Sequence, residues 1–455
     1  MEKTIAAIST APAPGGIGIV RISGGEAFAV AEKVFRGVSG KKLSQMKGYT
    51  AQLGGAYTPG GEKLDDVVAL VYRGPKSYTG EDVVELSCHG GLYVTKRLLQ
   101  LVLDAGAAPA GPGEFTRRAF LNGKMDLAQA EAVMGLISAS GEQARKAALA
   151  GSTGVLSRKI ESIKQGLLEQ AAHLAAWADF PEEDVPQVEE AALLEGIRQG
   201  EKALEELLQG FDRGRMYREG LVTVIAGRPN AGKSTLMNLL SGCQRSIVTQ
   251  YAGTTRDVVE ETVMVAGVPL RLADTAGIRD TDDPVESIGV QAARQRLETA
   301  QLVLAVFDSS QALEKEDWEL MDALEKVPAI AIVNKSDLPT RMDVEAIQKR
   351  FEKTVSLSAA TGEGLAALEQ ALSEILDTKD FHPQEGVLFT QRQRMDAQTA
   401  LDSLREGEQA LVLGLTLDAV TVCVEDALHA LAALTGEQVS EEIVDRVFEE
   451  FCVGK

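Results

Sequence analysis

The segment Gly227–Ser234 constrains the fold of this chain more than any other part of its sequence. It reads GRPNAGKS and fits the pattern GxxxxGK[ST]. The apolar, β-branched run LVTVIA at Leu221–Ala226 precedes it, and a segment of good helix propensity begins at Ser234. A strand, a glycine loop and a helix in this order direct backbone N–H groups and a helix N-terminus at a phosphate. The sequence therefore predicts a phosphate-binding loop in an α/β domain with a mainly parallel sheet.

Four further motifs follow this loop along the chain. They are GTTRD at 253–257, DTAG at 274–277, NKSD at 334–337 and LSAA at 357–360. A carboxylate such as Asp337 accepts two hydrogen bonds, which matches the N1–H and exocyclic amine of guanine but no pair of donors on adenine. Either NKSD or DTAG alone is also common in ordinary polar turns. The prediction of a GTP site therefore rests on all five motifs in order.

Residues of all five motifs, together with Thr235 and residues 249–252 directly before GTTRD, are expected to bind the nucleotide. Lys233 is predicted to reach the β- and γ-phosphates, and the hydroxyls of Ser234 and Thr255 to ligate magnesium. The predicted GTP-binding residues are Asn230, Ala231, Gly232, Lys233, Ser234, Thr235, Thr249, Gln250, Tyr251, Ala252, Gly253, Thr254, Thr255, Asp274, Thr275, Ala276, Gly277, Asn334, Lys335, Asp337, Ser358 and Ala359.

Composition limits the classes of protein to which the chain can belong. No run of about eighteen apolar residues occurs, so no membrane span is expected, and the N-terminus lacks the pattern of a secretory signal. The four cysteines are scattered without CxxC spacing, which predicts a reduced, cytoplasmic protein without a structural zinc site. The net charge of −21 argues against a surface that generally coats nucleic acid. It does not exclude local basic patches that contact a polyanion. The candidates are Arg117, Arg118 and Lys124; Arg213, Arg215 and Arg218; and Arg392 with Arg394.

The 455 residues are enough for two to four domains, and the texture of the sequence changes along the chain. Residues 1–120 mix strand patterns with glycine and proline turns, which indicates an α+β domain. Residues 121–215 carry apolar residues at helical spacing, residues 216–379 alternate strand and helix patterns, and helical patterns resume over 380–455. This order predicts a nucleotide domain inserted into one helical domain, which needs only nearby ends in the host.

Several long motifs outside the nucleotide site resemble one known family. They are GGIGIVRISG near the N-terminus, TGEDVVELSCHGG, PGEFTRRAFLNGKMDLAQAEA and the C-terminal FCVGK. Together with GRPNAGKS, TQYAGTTRD, DTAGIR and NKSD, they resemble the MnmE (TrmE) tRNA-modification GTPases over essentially the whole chain. The resemblance implies an N-terminal α+β domain for folate binding and dimerisation, a discontinuous helical domain and an inserted Ras-like G domain.

The resemblance also implies a reaction. The family adds an aminomethyl or carboxymethylaminomethyl group to C5 of the tRNA wobble uridine. It acts as a homodimer in a heterotetramer with a flavoprotein of the MnmG (GidA) family. A tetrahydrofolate derivative, 5-formyl- or methylene-tetrahydrofolate, supplies the one-carbon unit. A different reading of the G domain is a GTP-dependent switch in ribosome assembly, although the N-terminal motifs and the acidic balance favour tRNA modification.

Four residues match the family's folate-contacting positions, although each alone is also typical of a surface charge. They are Arg21, Glu85, Lys124 and Lys455. Cys452 matches a cysteine near the family's modification site, and a buried structural cysteine is an equal alternative. For His89, a packing or backbone role is favoured over acid–base chemistry.

Hydrolysis needs a group that orients water, and Ile278, which follows DTAG, cannot do so. The resemblance implies that Glu286 orients it through a second water; an exposed glutamate at a helix start is the alternative. It also implies that potassium replaces an arginine finger and that pairing of two G domains activates hydrolysis. The matching potassium ligands are Asn230, Thr249, Tyr251 and Thr254.

Overall fold

A computed structural model describes most of the chain. The described residues are 3–179, 189–243, 261–272, 300–376, 382, 385–449 and 451–455. None of the helices among them is both long and apolar enough to cross a membrane.

The N-terminal part of the chain forms a seven-stranded sheet with the strand order β3-β4-β5-β6-β2-β1-β7. Neighbouring strands are antiparallel except β1 and β7, which are parallel. The strands are β1 Ile5–Ile8, β2 Ile17–Ser23, β3 Phe35–Gly37, β4 Thr50–Tyr57, β5 Lys63–Tyr72, β6 Val83–His89 and β7 Ala108–Pro109.

Helices α1 (Ala27–Val34) and α2 (Leu92–Asp104) share a hydrophobic core with this sheet, and a short 3₁₀ helix covers Leu43–Gln45. Every second residue near the end of β5 is buried, as strand alternation requires: Val67, Ala69 and Val71. The α+β character predicted for this region is confirmed.

Five helices follow, and a capping box fixes the start of the second one. Asp126 accepts a hydrogen bond from the backbone N–H of Gln129 at 2.8 Å, and the Gln129 side chain accepts from the Asp126 N–H at 2.9 Å. The helices are α3 Glu114–Leu121, α4 Leu127–Ser138, α5 Glu142–Ser152, α6 Val155–Asp179 and α7 Glu190–Glu219.

A second sheet follows α7, with the strand order β13-β12-β11-β8-β10-β9. All its neighbouring strands are parallel except the β9–β10 hairpin. The strands are β8 Leu221–Ala226, β9 Glu261–Val265, β10 Val268–Leu272, β11 Leu302–Asp308, β12 Ala329–Asn334 and β13 Lys353–Ser356. The helices of this region are α8 Lys233–Cys243, α9 Lys315–Ala323, α10 Val344–Gln348 and α11 Leu365–Ile375.

The position of the central strands in this sheet explains why their sequences are apolar and why the motifs that follow the strands lie together. All residues of β11 and β12 are buried, as expected for strands covered on both faces. The parallel strands β8, β11, β12 and β13 end at the same edge of the sheet, where open α/β sheets bind their ligands. The predicted mainly parallel nucleotide domain is confirmed.

The last part of the chain returns to helices. They are α12 Gln391–Val412, α13 Leu417–Thr435 and α14 Glu441–Glu449. Helices α12 and α13 pack with α6 and α7 into one hydrophobic core, although the second sheet separates the two pairs in sequence. Along α13 the buried residues Val420, Val424, Ala427 and Leu431 recur every three or four positions. This arrangement is the discontinuous helical unit that the sequence predicts.

A buried polar network joins three of these helices. The Glu131 carboxylate on α4 accepts hydrogen bonds from Arg392 at 2.8 and 2.9 Å and from Thr390 at 3.1 Å. The same arginine donates to the carbonyls of Ala433 and Leu434 at the end of α13, at 2.9 and 3.1 Å. Arg392 therefore satisfies both a buried carboxylate and two carbonyl groups at a helix C-terminus.

Candidate functional site

The loop after β8 has the backbone shape of a phosphate cradle. Gly227 and Gly232 have φ angles of 153° and 97°, and Asn230 has a φ of 62°. A Cβ atom at Gly227 would lie 2.3 Å from the Val306 carbonyl oxygen, and one at Gly232 would lie 2.1 Å from the Asn334 Nδ2. These two positions therefore require glycine, because the backbone passes too close to its neighbours for any side chain.

Helix α8 begins directly at this loop and carries the predicted phosphate and metal contacts. The Lys233 ammonium lies inside the loop, where it donates to the Gly227 and Arg228 carbonyls at 2.9 and 2.7 Å. Ser234 and Thr235 are exposed at the helix N-terminus, and Leu236 is buried beneath them. Hydroxyl oxygens beside a lysine and a helix N-terminus suit a phosphate with its magnesium ion.

One buried side chain connects three of the predicted motifs. The Asn334 amide, at the end of β12, donates through Nδ2 to the Ala231 carbonyl at 2.8 Å. Its Oδ1 accepts a hydrogen bond from the backbone N–H of Ala359 at 3.0 Å. The phosphate loop, NKSD and LSAA are thus brought together at the edge of the sheet that the sequence predicts.

Lys335 makes a second connection, through a residue that the sequence motifs do not include. The Lys335 ammonium donates to the Asn230 carbonyl at 2.8 Å and to Asp308 Oδ2 at 2.6 Å. Asp308 is buried at the end of β11. Burial acts to raise the pKa of Asp308, but hydrogen bonds from Lys335 and Ser310 outweigh it, so the pKa lies below its ordinary value. In the sequence, the only sign of a role for Asp308 is that it ends the apolar run LVLAVFD.

Asp337 and Ser358, the residues expected at the guanine base, are also adjacent. The Ser358 hydroxyl donates to Asp337 Oδ1 at 2.6 Å, and the Asp337 side chain is exposed. The carboxylate is therefore held in one orientation at the mouth of the site. The remaining predicted residues of the nucleotide site, at 249–255, 274–277 and 286, lie outside the described residues.

A second cluster of predicted residues lies on the first sheet. Arg21 on β2 is directly opposite Glu85 on β6, and its Nε and Nη2 lie 2.9 and 2.8 Å from Glu85 Oε1. Tyr72 donates to the other carboxylate oxygen at 3.3 Å. The Arg21 guanidinium lies 5.6 Å from the ring centre of Tyr78 and 5.5 Å from that of Phe115. The pair is thus surrounded by aromatic rings.

The C-terminal segment packs against this cluster. The Lys455 carbonyl accepts a hydrogen bond from the Phe115 N–H at 3.1 Å, and the Cys452 carbonyl accepts one from Gly113 at 3.3 Å. Gly454, with a φ of 99°, passes so close to β1 that a Cβ would lie 2.2 Å from the Ile8 carbonyl oxygen. The tail is therefore fixed beside the ring that contacts Arg21, and Cys452 is half-buried within it.

Lys124 and His89 occupy positions near the same sheet. The Lys124 ammonium donates to the Pro75 carbonyl at 2.9 Å, on the loop that also carries Tyr78. His89 Nδ1 lies 2.7 Å from Asp65 Oδ1, and its backbone N–H donates to the same carboxylate at 2.8 Å. The imidazole is 75% exposed, so this side chain does not pack in the core, whereas the hydrogen bond of its backbone N–H fits the alternative of a backbone role.

Two of the candidate basic residues are structural. Arg118 is buried and donates to Glu81 at 3.1 Å, to Glu114 at 3.0 Å and to the Lys3 carbonyl at 2.8 Å. Arg392 is bound to the buried Glu131. Neither guanidinium is positioned to contact a polyanion, because each already neutralises carboxylates inside the protein.

The parallel sheet and the glycine cradle at its edge define the class of P-loop nucleotide-binding proteins. Two family descriptions match this chain: "GTP-binding protein TrmE N-terminus" over residues 4–124 and "MnmE helical domain" over residues 127–452. The tRNA modification GTPase MnmE of Alkaliphilus oremlandii is 43% identical, and that of Symbiobacterium thermophilum is 45% identical. Each alignment covers 100% of both chains. The chain belongs to the MnmE (TrmE) family of tRNA modification GTPases and is itself a GTPase.

Solved structures align with a smaller part of the chain, and one example is a G domain. The G domain of the T. maritima FeoB iron transporter is 26% identical and covers 34% of this chain and 98% of its own, with a TM-score of 0.26.

We expect Asp308→Asn to weaken GDP binding about tenfold, because a hydrogen bond to a charged group contributes about 1.5 kcal/mol. The substitution removes the charge that holds Lys335 against the phosphate loop. Fluorescence titration with a labelled GDP measures the change. Asp322→Asn, which breaks an exposed pair with Arg350, is the matched control. Equal affinities for the two variants would contradict the assigned role of Asp308.

Proposed function

We propose that this chain couples GTP hydrolysis to the modification of the tRNA wobble uridine at C5. The partner is a flavoprotein of the MnmG (GidA) family in a heterotetramer, and a tetrahydrofolate derivative supplies the one-carbon unit. The observation that carries the proposal is the contact between the C-terminal segment and the Arg21–Glu85 cluster. This contact joins the matched family motifs at the two ends of the chain into one site.

The folate proposal follows from the chemistry of that cluster. A pterin ring carries N–H donors that a carboxylate such as Glu85 accepts, and its flat face suits the rings of Tyr78 and Phe115. The glutamate tail of folate is an anion that Arg21, Lys124 and Lys455 attract. We propose that Cys452, fixed in the same tail, lies near the site of modification. A tRNA substrate places the activity in the cytoplasm.

At the nucleotide site, Lys233 binds the β- and γ-phosphates, while Ser234 and Thr255 hold magnesium, which neutralises the developing charge when bound. Asp337 reads the guanine edge, and Ser358 keeps its carboxylate oriented. Asn334 and Lys335 hold the loops at the correct spacing. Magnesium fits the exposed hydroxyl of Ser234 because this hard cation prefers oxygen ligands.

Glu286 is proposed to orient the attacking water, since Ile278 has no polar atom for this task. Asn230, Thr249, Tyr251 and Thr254 would hold a potassium ion, which would supply a fixed positive charge at the phosphates. Asn230 is exposed on the phosphate loop, and its amide oxygen is of the type that a hard cation prefers as a ligand. Pairing of two G domains in a homodimer activates hydrolysis.

We expect cells that lack this chain to lose the modified wobble nucleosides. Expression of the wild-type chain restores them, whereas Lys233→Ala, which removes the phosphate contact, and Arg21→Gln, which removes the folate contact, do not. Mass spectrometry of tRNA nucleosides measures the outcome, with Arg405→Gln, an exposed ion-pair variant, as the control. Unchanged nucleosides together with an altered ribosomal subunit profile would refute the proposal and favour the ribosome-assembly alternative.

Replacement of sodium by potassium is expected to raise the rate of GTP hydrolysis at least about tenfold, because a fixed cation stabilises the charge of the transition state. Glu286→Ala abolishes this gain and leaves GTP binding intact. Phosphate release in the two salts and nucleotide titration measure the two effects. Equal rates of the wild-type protein in sodium and potassium would contradict the potassium site.

A further inference from the structure

A cavity of about 770 Å³ opens between α4, α7, the start of α12 and α14, away from the nucleotide loop. Apolar side chains form much of its wall, among them Phe389 and Phe451. Four arginines also line it, although the chain as a whole is strongly acidic. A cavity of about 300 to 1,000 Å³ with an apolar wall and a few polar groups is typical of a small-ligand site.

Arg218 is the most unusual of these arginines. Its guanidinium lies 5.4 Å from the ring centre of Phe211 and 5.3 Å from that of Phe389. It donates one hydrogen bond, to the Leu388 carbonyl at 3.1 Å, and forms no ion pair with a carboxylate of the described residues. Burial lowers the pKa of Arg218 to about 10, although the charge of Glu219 acts to raise it; the smaller effect of Arg215 is in the same direction as burial. A guanidinium has five N–H donors, so Arg218 retains donors for a ligand.

Arg215 and Arg446 line the cavity together with Arg218. Within the part of the chain that the structure describes, neither forms an ion pair. Arg392, the fourth arginine of the wall, differs because Glu131 and Asp396 neutralise it at 2.8 Å. The charges of Arg215, Arg218 and Arg446 outnumber that of Glu219, the remaining carboxylate of the wall, and therefore favour an anion inside the cavity.

We propose that this cavity binds one nucleotide unit, with its phosphate on Arg215 and Arg218 and its base against Phe389 and Phe451. Guanidinium groups recognise phosphate oxygens through paired hydrogen bonds. Unpaired bases stack on aromatic rings and on arginine planes. The combination of arginines and phenylalanines in one cavity supplies both interactions.

The nucleotide is either an exposed residue of an RNA or a free mononucleotide. The RNA source rests on the proposed function, in which tRNA is the substrate. Phe451, which lines the cavity, directly precedes Cys452 in the C-terminal tail. An RNA residue in this cavity would therefore lie close to the segment that carries the proposed modification site. It would also give a strongly acidic chain a local contact for RNA.

Fluorescence anisotropy of the full chain with a labelled anticodon stem-loop RNA tests the proposal. The variant is Arg215→Gln combined with Arg446→Gln, which leaves Arg218 and its contacts with Phe211 and Phe389 in place. The matched control is Arg198→Gln combined with Arg405→Gln, which removes two exposed arginines of α7 and α12. Circular dichroism confirms that both double variants fold.

The cavity variant is expected to bind the RNA about tenfold more weakly for each arginine that contacts the nucleotide, and the control to bind as the wild type does. The slope of log affinity against log salt falls by about 0.7 for each phosphate that the variant no longer neutralises, which a purely structural effect would not produce. Arg218→Lys keeps the positive charge but removes the planar guanidinium with its paired N–H donors. We therefore expect it to weaken RNA binding without changing the net charge.

Titration with UMP in place of RNA separates the two sources. Binding of the RNA alone supports a polynucleotide source, and UMP binding that the cavity variant loses supports a free nucleotide. Failure of the wild-type chain to bind either probe, or equal losses in the cavity and control variants, overturns the proposal. If the cavity variant restores wobble nucleosides in cells while Lys233→Ala does not, the RNA source fails and the proposed function stands.

Discussion

The buried amide of Asn334 is the interaction on which the nucleotide site depends. It donates to the phosphate loop after β8 and accepts from the loop after β13, so one side chain at the end of β12 sets the distance between these loops. Its Nδ2 occupies the space that a side chain at Gly232 would fill. The same side chain therefore fixes both the conformation of the glycine loop and the position of the loop that carries Ser358 and Ala359. Removal of this amide would leave a buried carbonyl and a buried N–H without their partner, at a cost of about 1–3 kcal/mol each.

A comparable constraint joins the ends of the chain. The tail at 452–455 is held by backbone hydrogen bonds to the segment around Phe115, while Arg392 binds α12 to α4 and to the end of α13. The C-terminal helices therefore cannot move far without disturbing the Arg21–Glu85 cluster. Helix α7 continues into β8 at Gly220, whose φ of 76° allows the sharp passage beside Pro269. The nucleotide sheet is thus connected directly to the helices that line the arginine cavity.

Much of the fold follows from the sequence because its signals are local. The run at 329–333 predicts a buried strand, and the apolar spacing of 127–138 predicts an amphipathic helix. The strand and the helix are confirmed, but the helix is not amphipathic, because Leu136 and Ile137 on it are exposed. The phosphate loop is also local, since its glycines and lysine are contiguous. The roles of Asp308, Arg118 and Arg392 are different, because each depends on partners distant in sequence. Glu131 lies 261 residues from Arg392, and no spacing rule identifies such a pair.

In the proposed function, the nucleotide that Asp337 recognises drives the modification of tRNA. Asp337→Asn tests this coupling in a reconstituted reaction with the flavoprotein partner, the folate donor and substrate tRNA. Xanthine carries a carbonyl where guanine carries its amine, so an asparagine amide at this position favours XTP over GTP. We expect the variant to form the modified wobble nucleoside with XTP and not with GTP, while the wild type does the reverse. Equal product with either nucleotide would contradict the coupling.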